Sequence, residues 1–319
     1  MSRLRVALLA NPAAASGSSQ RAGHETARLL RQAGISTVDV SGPTPQIARA
    51  RAMAIRDDLT ALIVVGGDGT VALGAGITAD TPIRLGVVAV GSGNDFARAL
   101  GLPVRDVEAS VAQILHALSR PAHAIDAIAL SPVVTEGTPR RSIVLGNVSV
   151  GFDAFVNARA NRARGGGAPK YVSGVLRELP RFRPIPYWLE IDGGARLEFD
   201  ASILTIANTG VFGGGMSLAP EARLDDGLLD VVRVSGLNRA QLLRLFPRVY
   251  RGTHTALPAF STTPATHVRI GIRDGSALRA YADGEPRSLL PIDARVMPGA
   301  VRVLADPPSH GTAGSKAHS

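Results

Sequence analysis

Cysteine is absent from this chain of 319 residues, and lysine and aromatic residues are scarce. The absence of cysteine excludes disulfides, thiolate metal sites and cysteine nucleophiles, and it fits a reducing cytoplasm. Lysine occurs only at Lys170 and Lys316. Neither lies in a glycine-rich loop, which excludes a Walker-type phosphate loop because that loop needs its lysine beside the glycines. Aromatic residues make up 4% of the chain, so aliphatic side chains must fill the hydrophobic cores.

Long apolar runs are missing too. No run approaches the roughly 18 apolar residues of a membrane-spanning helix, and the first residues lack the apolar core of a signal peptide. These absences predict a cytoplasmic protein. The net charge of +9 suits an anionic partner, either nucleotide phosphates or an acidic membrane face, although a solvated surface has the same composition. The basic, aromatic-interleaved strands of RNA-binding modules are absent, so no nucleic-acid partner is predicted.

The most informative feature that is present is an apolar run ending in a glycine turn. Ala61–Val65 is short and β-branched, which predicts a buried strand. The glycines that follow allow a tight turn and a close approach to a ligand: Gly66, Gly67 and Gly69. Val71–Ala79 can continue as a helix whose N-terminal amides favour a bound phosphate. A carboxylate among these glycines, Asp68, suits a metal ion or a moving proton, although a plain tight connection is the alternative.

Two further strand-to-loop junctions repeat this pattern. Leu85–Val90 predicts a strand, and the loop after it carries Ser92 and Asn94, with Asp95 where a helix begins. Leu4–Ala10 predicts another strand, which runs into a loop of Asn, Pro, Ala, Ser and Gly. In a parallel sheet such junctions meet at the carboxyl edge, where ligands bind. The alternative for the second loop is that its Asn or Asp simply caps the helix.

Strand and helix patterns alternate over residues 1–127, which predicts a doubly wound, Rossmann-like parallel α/β sheet. Its helices are predicted at Gln20–Ala33, Thr44–Arg56, Val71–Ala79, Asp95–Leu100 and Val104–Ser119. Residues 128–306 consist of short strands, Arg141–Val150 among them, with Gly and Pro turns, which predict an all-β antiparallel sandwich. One helix, Arg239–Tyr250, interrupts it. Residues 307–319 are small and polar and are predicted to be a disordered tail.

Motifs run in order over nearly the whole chain. In the first half they are Asn11-Pro with Gly17, Gly66-Gly-Asp-Gly-Thr70 and Gly91-Ser-Gly-Asn-Asp-Phe-Ala-Arg98. In the second half they are Gly151-Phe-Asp-Ala154, Phe212-Gly-Gly-Gly-Met216, Leu224-Asp-Asp-Gly-Leu-Leu-Asp230 and Asp283-Gly-Glu285. This series resembles the diacylglycerol kinase catalytic domain family, which includes sphingosine kinases and bacterial lipid kinases. Ser92 stands where many relatives have threonine, and it keeps the hydroxyl.

The resemblance implies transfer of a phosphoryl group from ATP, with Mg²⁺, to the hydroxyl of a lipid alcohol such as diacylglycerol, giving phosphatidic acid. It implies a nucleotide domain related to NAD kinase and a sandwich that takes the lipid. The residues that would line the nucleotide are Asn11, Pro12, Ala13, Ala14, Ala15, Thr44, Gly66, Gly67, Asp68, Gly69, Thr70, Val71, Ala72, Leu73, Ser92 and Asn94. Thr44 precedes a proline and is equally typical of an ordinary helix start.

The resemblance also implies that the second half supplies a general base. Asp283-Gly-Glu285 would face the nucleotide loops, and one carboxylate would accept the proton of the lipid hydroxyl. Glu285 is the favoured base with Asp283 as its neighbour, but the order could be reversed. Asp68 is a third candidate, because sphingosine kinases assign this role to the glycine-loop aspartate. The tripeptide alone is equally compatible with an Asp-Gly turn followed by an exposed Glu.

Two magnesium sites are implied. Asp95 and Asp126, with the glycine-loop aspartate, are candidates for the cation that accompanies the nucleotide. Asp126 is otherwise a strand-end residue without chemistry. The segment 223–228 resembles a structural magnesium loop of the bacterial kinases, with a carboxylate from Asp226 and backbone carbonyls from Arg223 and Leu228. A plain Asp-Gly hairpin turn is the alternative.

A lipid substrate requires contact with a membrane. Arg244, Arg248 and Arg251 recur on one face of the second-half helix, and the segment 159–170 is basic, so either could rest on anionic headgroups, although solvated surfaces look the same. Candidates for the lipid path are Phe152, Phe155, Phe212 and Met216. We therefore expect a peripheral protein at the inner membrane face, and a homodimer is compatible with the sequence. An NAD kinase-like enzyme and a non-catalytic lipid or nucleotide sensor remain alternatives.

Overall fold

The computed structural model describes residues 4–10, 18–134, 141–152, 154–156, 173–174, 177–179, 183–213 and 215–306. The main helices are α1 (Ser18–Gln32), α2 (Pro45–Ala54), α3 (Asp68–Thr78), α4 (Asp95–Ala99), α5 (Val107–Leu118) and α6 (Arg239–Tyr250). The first nine strands are β1 (Val6–Ala10), β2 (Thr37–Asp39), β3 (Ala61–Gly66), β4 (Arg84–Ala89), β5 (His123–Pro132), β6 (Ser142–Val144), β7 (Asn147–Ser149), β8 (Ile185–Ile191) and β9 (Leu197–Ala201). The others are β10 (Ile203–Ala207), β11 (Val211–Phe212), β12 (Met216–Ser217), β13 (Leu229–Val234), β14 (Phe260–Ala265), β15 (His267–Ile272), β16 (Arg279–Ala282), β17 (Glu285–Leu289) and β18 (Ile292–Val303).

The first half is a parallel sheet with helices on both faces. Its strands lie in the order β2-β1-β3-β4, and the β1–β3 and β3–β4 pairs are parallel. Alternate residues of β3 point to opposite faces. Leu62 and Val64 pack with residues of α2 and α3, whereas Ile63 and Val65 pack with residues of α1 and α5. The doubly wound α/β prediction is therefore confirmed.

The second half is an antiparallel sandwich. One layer has the strand order β14-β13-β10-β7-β16-β17, and its strand pairs are antiparallel. The other layer comprises β18, β15, β8 and β9, which continue the sheet of the first half, with β5 paired to β18 and β6 paired to β5. Apolar residues from both layers, among them Ile206, Tyr187 and Val268, form a common core. The sandwich prediction is confirmed.

The last strand joins the two halves. At its end, Arg302 and Val303 pair in parallel with Arg84 and Leu85 of β4, whereas its first residues pair with β15 in the sandwich layer. The predicted boundary at residues 127 and 128 falls inside β5, which pairs along much of β18. The division into residues 1–127 and 128–306 stays a prediction, and residues 307–319 lie outside the described chain.

Some local predictions need correction. The predicted strand Arg141–Val150 is two strands, because Leu145 and Gly146 between them turn their N–H groups to a side chain rather than to a neighbouring strand. Two strands that the sequence did not predict, β14 and β17, contain Pro264 and Pro286. Both lie at the edges of their sheet, where proline costs no ladder hydrogen bond. Within the described residues, no helix combines the length and apolar character needed to cross a bilayer.

Candidate functional site

Two loops at the carboxyl edge of the parallel sheet touch through their backbones. The first follows β3 and the second follows β4, and the N–H of Val90 donates to the carbonyl of Gly66 at 2.9 Å. A Cβ on Gly91 would overlap the backbone of Gly67, so the contact requires glycine at this position. The glycines that predicted a ligand loop therefore also serve to pack two loops against each other.

Asp68 fastens these two loops together. Its Oδ2 accepts a hydrogen bond from the N–H of Asn94 at 2.8 Å, and its Oδ1 accepts one from the N–H of Phe96 at 3.4 Å. The carboxylate therefore caps α4 from another helix, α3. Burial raises the pKa of Asp68, and the backbone N–H donors oppose that rise.

Asn94 is occupied within its own loop. It adopts a left-handed conformation with φ of 59°, and its amide accepts from the N–H of Gly91 at 3.0 Å and donates to the same residue's carbonyl at 2.9 Å. Only 2% of Asn94 is exposed, whereas Ser92 at the tip of the loop is exposed to solvent. The structure thus gives Asn94 a loop-closing role, and nucleotide contact by Asn94 or Ser92 stays a prediction.

The second half contributes Asp283 from the turn between β16 and β17. Its Oδ1 accepts from the N–H of Gly146 at 2.9 Å, and its Oδ2 accepts from the N–H of Leu145 at 3.2 Å. Burial raises the pKa of Asp283 to about 6, and the nearby charge of Asp68 adds to that rise. The charge of Arg287 acts in the opposite direction. Carboxylates from the two halves of the chain are therefore near enough to repel each other.

These carboxylates line a cavity of about 90 Å³ between the halves. Asp68 and Asp95 enter it from the first half, and Asp283 enters from the second, beside Asn147 and Thr209. Glu285 is exposed and lies over the glycine loop, because a Cβ on Gly69 would be 3.9 Å from its Oε1. Asp68 and Asp283 thus share this cavity, and Glu285 lies beside the glycine loop at its edge.

A larger groove of about 850 Å³ shares the same end of α3. Its floor is a face of α3 whose residues recur three and four positions apart: Gly69, Ala72, Leu73 and Gly76. Its walls are the start of α2, the strand β6 with nearby residues, and β17. The volume of the groove lies in the range of ordinary small-molecule sites. The N-terminal amides of α3, which favour a bound phosphate, lie at one end of it. Three predicted nucleotide residues line it: Gly69, Ala72 and Leu73.

Other predicted nucleotide residues lie elsewhere. Thr44 is the N-cap of α2, and its hydroxyl accepts from the N–H of Ile47 at 3.3 Å, while the adjacent Pro45 lines the groove. Thr70 is buried, and its side chain lies against Gly66. The predicted segment 11–15 and the basic segment 159–170 lie outside the described residues.

Asp126 lies with the loop 223–228 instead of with the nucleotide loops. Its Oδ1 accepts from the N–H of Gly299 and its Oδ2 from that of Gly227, both at 2.7 Å. Burial raises the pKa of Asp126, and the charges of Asp226 and Asp225 raise it further. Both oxygens hold loop amides, so the carboxylate acts as a clamp in this position.

The predicted metal loop is a hydrogen-bonded turn. Asp226 is exposed, and its Oδ1 accepts from the N–H of Leu228 at 3.0 Å. Arg223 pairs with Asp225 at 3.4 Å, and His123 lies 3.6 Å from the same carboxylate. Across the part of the chain that the structure describes, no three acidic, His or Cys side chains are grouped to hold a metal ion. The two implied magnesium sites stay predictions.

Sequence reasoning missed the basic wall of the groove and the amide donors of Asp283. Three arginines line the groove: Arg49, Arg141 and Arg287. The one sequence signal for this basic wall was that Arg287 follows Glu285 by two positions. The N–H groups of Leu145 and Gly146 carried no sequence signal, because they hold a side chain more than 130 positions away.

Comparison with known proteins identifies the class. Residues 5–127 match the model of the diacylglycerol kinase catalytic domain, and residues 146–305 match the YegS C-terminal NAD kinase beta sandwich-like domain. A diacylglycerol kinase of Mycobacterium tuberculosis is 34% identical over 310 residues, covering 96% of each chain. The chain therefore belongs to the diacylglycerol kinase family of lipid kinases, as the motifs implied.

Solved structures agree at the level of the fold. The crystal structure of a proposed diacylglycerol kinase from Bacillus anthracis superposes with a TM-score of 0.77 at 19% identity, covering 96% of each chain. Yeast NADH kinase complexed with NADH superposes with a TM-score of 0.55 at 12% identity, over 94% of this chain and 82% of its own. The NAD kinase-like character of the architecture is thereby confirmed.

Proposed function

We propose that the protein is an ATP- and Mg²⁺-dependent lipid kinase that phosphorylates the hydroxyl of diacylglycerol, or a related lipid alcohol, to phosphatidic acid or its counterpart. The observation that carries this proposal is that Asp68 and Asp283 share one cavity beside the N-terminus of α3, with Glu285 next to the glycine loop at its edge. Phosphoryl transfer depends mainly on positioning and charge, which such a cleft between two halves provides.

In this proposal, the nucleotide lies in the groove along α3, with its phosphates at the glycine loop. The loop 11–15, Ser92 and Asn94 complete its contacts. The lipid oxygen attacks the terminal phosphorus, the bond from that phosphorus to the bridging oxygen breaks, and ADP leaves. The proton of the lipid hydroxyl passes to a carboxylate.

Glu285 is the best candidate for that base. It is exposed beside the glycine loop, and it belongs to an edge strand that lines the groove. Asp283 and Asp68 already accept backbone N–H donors on both oxygens, which favours positioning roles for them. Asp283 then fixes the turn that carries Glu285, and Asp68 fixes the two nucleotide loops.

The carboxylates of the cavity suit a magnesium ion held through water, although no three of the described side chains are grouped to ligate one directly. Carboxylate oxygens are the ligands that Mg²⁺ prefers, and a cation beside Asp68 and Asp283 would offset the repulsion that adds to the effect of burial on the pKa of Asp283. Asp68 and Asp95 would hold it, through water, and the ion would neutralise charge on the phosphates. For the loop 223–228, we keep the proposal of a structural cation held by Asp226 and the carbonyls of Arg223 and Leu228.

The lipid is proposed to approach from the sandwich. Phe152 and Phe155 line an apolar pocket of about 400 Å³. On α6, Leu242, Leu245 and Val249 pack into the core, whereas the arginines of its other face are exposed: Arg244, Arg248 and Arg251. That face suits anionic headgroups and peripheral membrane contact. A homodimer stays a prediction.

A labelling experiment tests the function. The protein is incubated with ATP labelled at the terminal phosphate, Mg²⁺, and vesicles that carry one lipid alcohol at a time: diacylglycerol, monoacylglycerol, ceramide, a sphingoid base or phosphatidylglycerol. Labelled phosphatidic acid is the expected product, and omission of Mg²⁺ should abolish it. A parallel reaction contains NAD instead of lipid.

Two outcomes would contradict the proposal. Labelled NADP without labelled lipid would favour the NAD kinase-like alternative, for which the shared fold is the supporting observation. No labelled product in any reaction, with ATP binding retained, would favour a non-catalytic sensor.

A further inference from the structure

A basic residue lies two positions beyond Glu285 on the edge strand β17. Glu285 and Arg287 both line the groove along α3. The charge of Arg287 also reaches Asp283 across the turn. Arg287 is therefore placed among the carboxylates of the cleft.

One nitrogen of the Arg287 guanidinium lacks a hydrogen-bond partner within the described part of the chain. The residue is half-buried, and its Nε is shielded from solvent and has no hydrogen-bond partner among the described residues. The backbone carbonyl of Arg287, by contrast, accepts a hydrogen bond from Arg279 at 2.6 Å. Leaving a shielded charged donor unpaired is costly, so this nitrogen is suited to a partner that the described residues do not supply.

The other arginines of the groove differ from Arg287. Arg141 is exposed and pairs with Asp80 at 3.1 Å. Arg49 lies against α3, because a Cβ on Gly76 would be 3.1 Å from its Nη1. Arg287 alone of these three stands next to Glu285 in sequence, so it is the arginine nearest the proposed reacting groups along the chain.

We propose that Arg287 is a phosphate-binding residue, whose guanidinium contacts the oxygens of the phosphoryl group as it passes from donor to acceptor beside Glu285. A planar guanidinium matches a phosphoryl group through paired N–H donors and stays protonated throughout. The inference rests on the proposed function for the identity of the transferred group. The phosphate oxygens belong either to the nucleotide or to the phosphorylated head group of the product.

The test compares Arg287→Gln with Arg287→Lys and with the control Arg302→Gln, which alters an exposed arginine of β18. For Arg287→Gln, kcat/KM for ATP should fall about 100-fold, as on removal of one donor to a developing anion. Arg287→Lys should recover part of that loss, because it restores the positive charge but lacks the paired N–H donors of the guanidinium. The control should match the parent, and all three should keep the parent's thermal unfolding midpoint.

Binding measurements distinguish the source of the phosphate and need no turnover. Calorimetric titration uses inorganic triphosphate in one series and glycerol 3-phosphate in the other. Weaker binding of triphosphate by Arg287→Gln assigns Arg287 to the donor, and weaker binding of glycerol 3-phosphate assigns it to the product. Parent-like binding of both ligands together with parent-like kcat/KM would overturn the inference. If the parent labels no lipid, the proposed function fails, while the titrations still decide whether Arg287 binds phosphate.

Discussion

Two regions of the molecule contain the same local arrangement, an aspartate that accepts two backbone N–H groups, in different surroundings. In the cleft, Asp283 accepts N–H donors from Leu145 and Gly146, and in the loop 223–228, Asp126 accepts them from Gly227 and Gly299. Both carboxylates tie together segments that are distant in sequence. Burial raises the pKa of both.

The difference lies in what each carboxylate faces. Asp283 lines the cavity with Asp68 from the other half, and Arg287 acts on it. Asp126 is 2% exposed, and its charged neighbours, Asp225 and Asp226, belong to the loop 223–228 that it holds. A buried, amide-bonded aspartate with a raised pKa therefore does not mark a catalytic group by itself. Convergence of such groups on one cavity is what supports the proposed catalytic site.

The largest expected effect is that of Glu285→Gln. This change keeps the shape of the side chain and removes its basicity, so turnover of the lipid substrate should fall by about 10²- to 10⁴-fold. Because Glu285 is exposed, the thermal unfolding midpoint should stay the same. Glu198→Gln, at an exposed position of β9, is the matched control. Turnover within a few-fold of the parent, with the same pH–rate profile, would remove Glu285 as the base.

The next effect concerns the pH dependence of stability. The pKa of Asp283 is raised from 3.8 to about 6, so the folded state binds this proton more tightly than the unfolded state does. Protonated Asp283 therefore stabilises the fold at pH values below its unfolded-state pKa, and this stabilisation is lost as pH rises from about 4 to about 6. That loss amounts to about 3 kcal/mol of unfolding free energy.

Denaturant unfolding of the parent and of Asp283→Asn between pH 4 and pH 7 measures this contribution. The variant leaves one backbone N–H facing an amide NH₂, so it should be less stable than the parent at every pH. The informative quantity is therefore the slope of the unfolding free energy against pH. The raised pKa values of Asp68 and Asp126 also make stability fall as pH rises. Because both proteins retain these residues, the difference between the two slopes measures the contribution of Asp283. Identical slopes would contradict the raised pKa.

A pair of variants tests the comparison itself. Asp68→Asn and Asp126→Asn each leave a buried N–H without a good acceptor, which should cost about 1 to 3 kcal/mol of unfolding free energy. Only Asp68→Asn should also lower turnover severely, because its loops carry the proposed phosphate contacts. Chemical denaturation and lipid kinase assays measure the two quantities separately. A severe turnover loss in Asp126→Asn would contradict the clamp role.

Local patterns predicted much of the fold. The helix Arg239–Tyr250 has the predicted bounds, and the strands before both glycine loops agree within a residue, because hydrophobic runs and glycine turns are local signals. The return of β18 to pair with β4 could not be predicted, because its partners are more than 200 positions apart. Edge strands with proline, such as β17, also lack a clear local pattern.

In the candidate site, too, local motifs were predictable and contacts between distant parts of the chain were not. Motif resemblance supplied Asp68, Asp283 and Glu285, and the structure adds that the two aspartates share a cavity with Glu285 beside the adjoining glycine loop. No pattern could indicate that Asp126 would be held by amides 101 and 173 positions away. The basic wall escaped prediction for a related reason, since Arg287 acquires its setting only when β17 lies along the groove.

The smallest expected effect is that of Thr44→Ala. The Thr44 hydroxyl caps α2 by accepting the N–H of Ile47, so its removal should cost about 1 kcal/mol of unfolding free energy. Thr44→Ser retains the oxygen and should keep most of that stability. If capping is the whole role of Thr44, KM for ATP is the same in both variants and in the parent. A rise in KM for ATP in Thr44→Ala without loss of stability would instead assign the hydroxyl to the nucleotide, because the groove begins at the next residue, Pro45.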